Sequence, residues 1–285
     1  MRNRSDLKRG ADPGKRMPRH VFAVCAYGES PYLEECLRSL RQQSVKSSIV
    51  LCTSTPGAFL REIAQTYDIP LYIREGESSL LADWEFAAET AARETGARLV
   101  TIAHQDDRYH RDYTKALLHA ARLYPDLSLF CTRYRTIDAE GAVTDGMAER
   151  VKRILRLPLR LHGIADRTFI KRLVLRFGNG IGCPTCTYNL DVTALPLFRQ
   201  NDQFVIDWDT LWRMSGEPGR FVCVEKEMLD YRVHAGAATK RNMENHNREK
   251  EETEMFRRIW GDGITGRLMT LLLMHFYKRA YRAYR

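Results

Sequence analysis

Arg98-Leu99-Val100-Thr101-Ile102-Ala103 is an apolar run that leads straight into His104-Gln105-Asp106-Asp107. Such a run reads as a strand buried on both faces, the form a parallel sheet takes beneath helices. The next four residues are abruptly polar and end in two adjacent carboxylates. In open α/β sheets, ligands bind beyond the carboxyl ends of the strands. Residues 104–107 are therefore a candidate site by position alone.

The same rhythm extends upstream. Val21–Tyr27 is a second apolar run, followed by Ser30-Pro31 as N-cap and first helical residue. Glu34 and Glu35 sit in that first turn, where the helix dipole favours acids. Leu33, Leu37 and Leu40 make one helical face. Ser48–Thr53 and Leu71–Arg74 read as strands separated by a helix from Pro56-Gly57 to Tyr67. Leu80, Trp84, Ala88 and Ala91 stripe a third helix. Downstream come a helix from Asp112 to Tyr124, a strand at Ser128–Thr132 and a hairpin turned at Glu140-Gly141. This alternation predicts an α/β fold with a mostly parallel sheet covered on both faces. After residue 146 the pattern changes. Residues 148–177 read as two basic, apolar-striped helices broken at Pro158 and Gly163. A strand near Thr185–Leu190, a helix over Asp207–Met214 and a strand at Phe221–Val224 follow.

Composition narrows the class. A chain of 285 residues, 44% hydrophobic, can build one large α/β core or a core with a small subdomain. Seven scattered cysteines, several inside apolar runs, read as reduced thiols of a cytoplasmic protein. The net charge of +9 is uneven: residues 1–19 carry +5, 150–176 carry +8 and 264–285 carry +5, leaving the remainder at −9. An acidic body with three basic segments points to an anionic surface, lipid or nucleic acid. The first 19 residues read as a disordered basic arm. No run approaches the ~20 apolar residues that span a bilayer.

Three constellations could carry chemistry. Asp106 and Asp107 are hard oxygen ligands suited to Mg2+ or Mn2+ shared with substrate phosphates; the alternative is a solvated acidic loop that caps the next helix. Asp207-Trp208-Asp209 opens an amphipathic segment, where an Asp could be a general base or simply a helix cap. Tyr231-Arg232-Val233-His234 could hold a diphosphate or complete a metal shell, or be structural. Cys183-Pro184-Thr185-Cys186 has metal or redox spacing, but no second pair completes it.

In this order, the segments over roughly residues 20–236 resemble the family 2 glycosyltransferases, whose fold is GT-A. Val21–Gln43 is similar to that family's first βα unit. Gln105-Asp106-Asp107, with Tyr109 and Asp112 after it, is similar to the family's metal motif, His104 standing where the first Asp is usual. Asp207 within Phe204–Arg213 matches the catalytic base of the family's "ED" segment, with Ile206 in place of Glu. Tyr231–His234 resembles a segment that lies over the active site. Cys52–Thr55 stands where the family often has base-reading Asp residues, and Asp83-Trp84-Glu85 replaces an Arg-Asn pair.

The resemblance implies an inverting, metal-dependent transfer from a nucleotide-sugar to an acceptor hydroxyl. The donor would meet Ala26, Tyr27, Glu29, Thr53, Asp83, His104, Gln105 and Arg232. Mn2+ or Mg2+ would meet Asp106, Asp107 and His234. Asp207, with Asp209 beside it, would be catalytic. The expected partners are a nucleotide-sugar and a glycan or lipid-linked acceptor, with a role in bacterial cell-surface glycan or glycolipid synthesis.

Four parts are expected: the arm 1–19, a nucleotide-sugar-binding half 20–145, an acceptor and catalytic half 146–236, and a basic helical tail 237–285. Residues 264–285 suit a helix in a membrane interface, and 150–176 repeat that chemistry. The expected location is cytoplasmic, at the inner face of the plasma membrane; packing on the sheet is the alternative for these helices. Two other classes are the alternatives. A nucleic-acid-binding protein would interleave aromatics with its basic residues, and no such motif appears. A sugar-phosphate nucleotidyltransferase would need a Gly-rich phosphate loop after the first strand, where Tyr27-Gly28-Glu29-Ser30 has one Gly.

Overall fold

Burial on both faces explains the first half of the chain. A computed structural model describes residues 19–144, 147–199, 203–236 and 247–282. The expected arm, apart from Arg19, and the first residues of the expected tail, 237–246, lie outside them. The strands are β1 (His20–Ala26), β2 (Ser48–Thr53), β3 (Leu71–Ile73), β4 (Leu99–His104), β5 (Arg108–Tyr109), β6 (Leu127–Ile137), β7 (Val143–Thr144), β8 (Thr187–Asn189) and β9 (Arg220–Arg232). They form one sheet ordered β3-β2-β1-β4-β8-β6-β9-β5, with β7 on β6. The long strands β1, β2, β4, β6 and β9 all run parallel; the short β5, β7 and β8 pair antiparallel. Register shifts between β6 and β9 near Thr132 and Arg133 curl this edge of the sheet.

Helices cover the two faces with separate cores. The helices α1 (Leu33–Arg41), α2 (Ala58–Thr66) and α4 (Tyr113–Leu123) bury Leu33, Leu37, Leu60 and Leu117 against Phe22, Leu51 and Phe130. On the other face lie α3 (Leu80–Thr95), α6 (Thr168–Leu175), α7 (Ile206–Gly216), α8 (Asn247–Trp260) and α9 (Ile264–Arg282). They pack Trp84, Val174, Leu211 and Phe256 with Val21, Val100 and Phe221. A further helix, α5 (Met147–Leu155), precedes α6 and is separated from it by two 3-10 turns around Pro158 and Gly163.

Two local readings change. α1 begins later than Ser30-Pro31: its N-cap is Tyr32, whose N–H donates to Ser30 Oγ (3.3 Å), while the Ser30 hydroxyl itself donates to Asp106. The strand expected at Phe221–Val224 continues to Arg232, because its outer half pairs with the bulged end of β6. The basic segment 150–176 is not uniformly a surface. Arg156 is fully buried on Glu149 and the Gly180 carbonyl, and Lys171 is fully buried with its ammonium directed at the carbonyls of Glu217 and Gly219.

Candidate active site at the carboxyl ends of the strands

Parallel β1, β2 and β4 end side by side, so the turns after them share one edge. At β1, Gly28 takes a left-handed φ of +59° in open space, a turn a side chain would strain. Its N–H donates to Thr55 Oγ1 (2.8 Å), beyond β2. The exposed Tyr27 main chain is held from β4: Gln105 Oε1 accepts from Tyr27 N (2.9 Å), and Gln105 Nε2 donates to Tyr27 O (3.2 Å). Ala26 and Thr53 are buried behind this edge, and Glu29 is exposed beside it. Asp83 is engaged by Arg74 Nε (2.8 Å), Ser54 (3.0 Å) and Ser78 (2.7 Å), which clamps the ends of β2 and β3 to α3.

After β4 the chain turns tightly, Asp107 N donating to His104 O (3.3 Å). The turn sends the adjacent carboxylates in opposite directions. Asp106 Oδ1 accepts from Ser30 Oγ (2.7 Å), and Asp106 Oδ2 lies 3.2 Å from His234 Nε2. Asp107 instead points inward and is 1% exposed; its Oδ1 accepts from Arg232 N (2.9 Å), and its Oδ2 is buried without a hydrogen bond. Burial pushes the Asp107 pKa well up. The expected trio Asp106, Asp107 and His234 thus divides into a pair and an inward third member. Among the described residues no group of three or more His, Cys, Asp or Glu gathers as a metal site.

Arg232 braces this edge. Its Nε donates to Asp106 O (3.0 Å), one terminal nitrogen to Ala139 O (2.9 Å) and the other to the Glu35 carboxylate. Its guanidinium lies 4.5 Å over the Tyr32 ring, which also meets His234 (4.8 Å). Arg232 is buried, so its charge is committed to the protein. His104 stacks on Trp84 (5.2 Å, 25°), and burial lowers its pKa to about 4, so it is neutral near pH 7.

Asp207 approaches from the other half of the chain. Its Oδ2 accepts from Asn179 Nδ2 (2.8 Å) and its Oδ1 from Trp208 N (2.8 Å). Burial raises its pKa. Cys183 stands between the two sets: its Sγ is 3.8 Å from His104 Nε2, and burial, then the Asp207 charge, push its thiol well up. The turn carrying Cys183 is pinned by the Tyr109 hydroxyl on Pro184 O (2.6 Å) and the Tyr113 hydroxyl on Thr185 O (2.9 Å). Both Cys183 and Cys186 are free thiols of this packed turn. Asp209, one residue past Trp208, turns away to Arg258 of α8 (2.7 Å). Ser30, Thr55 and Asn179 join the site without having been expected among its residues. The sequence signal for Asn179 was its place between Gly178 and Gly180 in a loop.

No family model matches the chain, and no curated protein matches it by sequence. Solved structures do match in fold. TarS residues 1–349 from S. aureus align with a TM-score of 0.56 at 12% identity, over 92% of this chain and 72% of that one. The same portion in complex with UDP-GlcNAc gives 0.53 at 14%, over 85% and 65%. The mannosyltransferase PcManGT from Pyrobaculum calidifontis, in complex with GDP-Man and Mn2+, gives 0.55 at 17%, over 93% and 70%. The chain has the GT-A, nucleotide-diphospho-sugar-transferase-like fold of these glycosyltransferases, with helices at its C-terminal end.

Proposed function

We propose that this chain transfers a sugar from a nucleotide-sugar to an acceptor hydroxyl with inversion at the anomeric carbon. The carrying observation is Asp207: a half-buried carboxylate of raised pKa, held by Asn179 and its own helix, near the strand ends where Asp106 and His234 meet. A base must be oriented and close to the working pH in affinity for its proton. Both Asp207 oxygens are held by hydrogen bonds, and burial raises its affinity for a proton. It takes the acceptor proton as the hydroxyl attacks the anomeric carbon from the face opposite the departing nucleoside diphosphate. The donor diphosphate lies along the Tyr27–Gly28 and Gln105–Asp106 turns. Arg232 holds the Asp106 main chain and, through its own N–H, Asp107, so the turn is set before the donor arrives. The neighbours' ligands, UDP-GlcNAc and GDP-Man, support a nucleotide-sugar donor.

Asp106 and His234 fit a divalent cation. Their Oδ2 and Nε2 are 3.2 Å apart, near the about 3 Å between adjacent ligands of Mg2+ or Mn2+, which usually takes one or two protein groups and completes its shell with phosphate and water. Bound there, it would supply Lewis-acid neutralisation of the leaving diphosphate. Asp107 holds Arg232 rather than the ion. The acceptor belongs to glycan or glycolipid synthesis at a bacterial cell surface, and the enzyme works at the inner face of the plasma membrane.

The test is nucleoside diphosphate release from a panel of UDP-, GDP- and dTDP-sugars by the full chain, with Mn2+ and with EDTA. Release with Mn2+ and its loss in EDTA are expected. Pyrophosphate as the released product would instead make the chain a nucleotidyltransferase. Undiminished release in EDTA would remove the cation.

A further inference from the structure

The helix α9 is apolar on two opposite sides. Its inner side is packed: Thr270 and Met274 are buried, and the Tyr277 hydroxyl donates to Phe177 O (3.3 Å). The fit is tight enough that a Cβ on Gly178 would fall 1.7 Å from the Tyr277 hydroxyl oxygen. At 100° per residue, Ile264, Leu268 and Leu271 fall on the far side of the helix. They are 83%, 61% and 69% exposed, and the adjacent Leu272 is also exposed. A helix that only covers a core presents charged residues to water on that side. This one presents a row of leucines.

The charges on the helix itself have one sign. Ile264–Arg282 contains no acid and four basic residues, Arg267, Lys278, Arg279 and Arg282. Lys278 is paired with Glu249 of α8 (2.5 Å). The helix α5 reaches the same corner: Leu155 approaches Gly178 alongside Tyr277. It too exposes apolar side chains, Val151 and Ile154, next to Arg150 and Arg153, while its acid Glu149 is turned inward on Arg156. Among the described residues no helix is long and apolar enough to cross a membrane.

We propose that α9, with the exposed edge of α5, docks this face on an anionic lipid surface, lying in the interface with its leucines inserted and its arginines among the headgroups. An apolar row flanked by basic residues and free of acid is the pattern such surfaces select. A second copy of the chain would bring a basic face against itself, with no carboxylate on α9 to complement it. The docking face is coupled to the candidate base. Tyr277 packs on Phe256 of α8 (5.5 Å), and Phe256 packs on Trp208 (5.0 Å), the neighbour of Asp207. Glu251 of α8 also accepts from the main-chain N–H groups of Gln203, Phe204 and Val205 just ahead of α7. A surface that holds α9 therefore orients the acceptor side of the site.

The experiment is co-sedimentation of the full chain with phosphatidylcholine vesicles, with and without about one third phosphatidylglycerol. Neither donor nor acceptor enters it, so it stands apart from the enzymatic reading. Binding to the anionic vesicles, weakened by salt, is expected. Leu268→Glu with Leu271→Glu weakens binding by at least about tenfold for each leucine. Arg267→Gln with Arg279→Gln weakens it about fivefold for each charge, with unchanged helical circular dichroism in both variants. No binding to anionic vesicles at low salt, or equal binding by the leucine variant, overturns the proposal. So does a lipid-free dimer that the leucine pair dissociates, which would give the face to a second copy.

Discussion

The two ends of the same strands treat their polar groups in opposite ways. At the amino end, His20 of β1 is fully enclosed, with Nδ1 on Ser47 Oγ and Nε2 on Thr101 Oγ1, both at 2.8 Å. Thr101 passes the chain to Thr187, and Thr187 to the Tyr113 hydroxyl (2.9 Å), which ends on Thr185 O. Every link has a protein partner. At the carboxyl end, the polar groups nearest the His104 ring among the described residues are Cys183 at 3.8 Å and Asp107 at 4.0 Å. Asp107 Oδ2 is buried without a hydrogen bond, His234 Nε2 is buried with the Asp106 carboxylate 3.2 Å away, and burial disfavours the charged form of Asp207. Leaving buried polar groups unsatisfied costs about 1–3 kcal/mol each. A closed network serves the fold; an incomplete one at a strand end is completed by a ligand.

The sharpest way to break this comparison is Asp207→Asn. The amide cannot take the acceptor proton, so turnover falls by about 10²–10⁴-fold, while donor affinity, measured by calorimetry, is unchanged. The wild-type pH profile carries the same information. Because burial raises the Asp207 pKa, the carboxylate is protonated earlier as pH falls, and the acid limb of the rate lies above an ordinary aspartate's titration. For stability the sign reverses. A carboxyl with a raised folded pKa favours the fold at low pH and loses that contribution as pH rises through its folded value. Asp207→Asn therefore stays folded at pH 7, with a melting temperature within about 3 °C of wild type. A variant that retains full transfer removes Asp207 from the mechanism.

The amino end gives the converse. His20→Phe keeps the ring and its edge contact with Phe22 (4.5 Å) but removes the two bonds that the ring nitrogens make to the Ser47 and Thr101 hydroxyls. The expected loss is about 1–3 kcal/mol of stability at pH 7, read as a lower urea midpoint, with activity per folded molecule intact. Burial lowers the His20 pKa to about 3. The unfolded chain takes up a proton below about 6.5 that the folded chain refuses, so the wild type loses stability as pH falls from there towards 3. The variant lacks this slope; an identical slope in both proteins would assign it to other groups.

Which parts of this were legible in the sequence follows from range. The strands β1, β2 and β4 were readable because burial on both faces leaves mostly apolar residues, and α3 because Trp84, Ala88 and Ala91 recur at helical spacing. The outer half of β9 was not, because Lys226 and Glu227 face water along a bulged edge and break the pattern. At the site, position pointed to 104–107, but not to which Asp faced outward. That choice is made by Arg232, whose N–H takes Asp107 from 125 residues away, and by Ser30, whose hydroxyl takes Asp106 from 76. Ser30 carries a local signal for a helix cap, and that signal is accurate about Ser30-Pro31 as a type of dipeptide. The hydroxyl serves both: its oxygen accepts from the Tyr32 N–H (3.3 Å) while its proton goes to the Asp106 carboxylate, a partner that local sequence does not show.

The smallest effect is expected where the comparison passes through a single helix turn. Asp207 and Asp209 are separated by Trp208, so the same local sequence offers both as a base. Their partners divide them. Asp207 faces Asn179 and the buried loop before Cys183, whereas Asp209 forms an ion pair with Arg258 that joins α7 to α8. That pair is partly solvated, its side chains 19% and 33% exposed, so screening limits it to about 0.2–1 kcal/mol. Asp209→Asn is accordingly expected to lower the melting temperature by no more than about 3 °C and to leave turnover within about twofold of wild type. Thermal melts and initial rates on one preparation check both. A loss in turnover as large as that of Asp207→Asn would place the base two residues along, and would make the Arg258 contact a resting-state pair that opens for the acceptor.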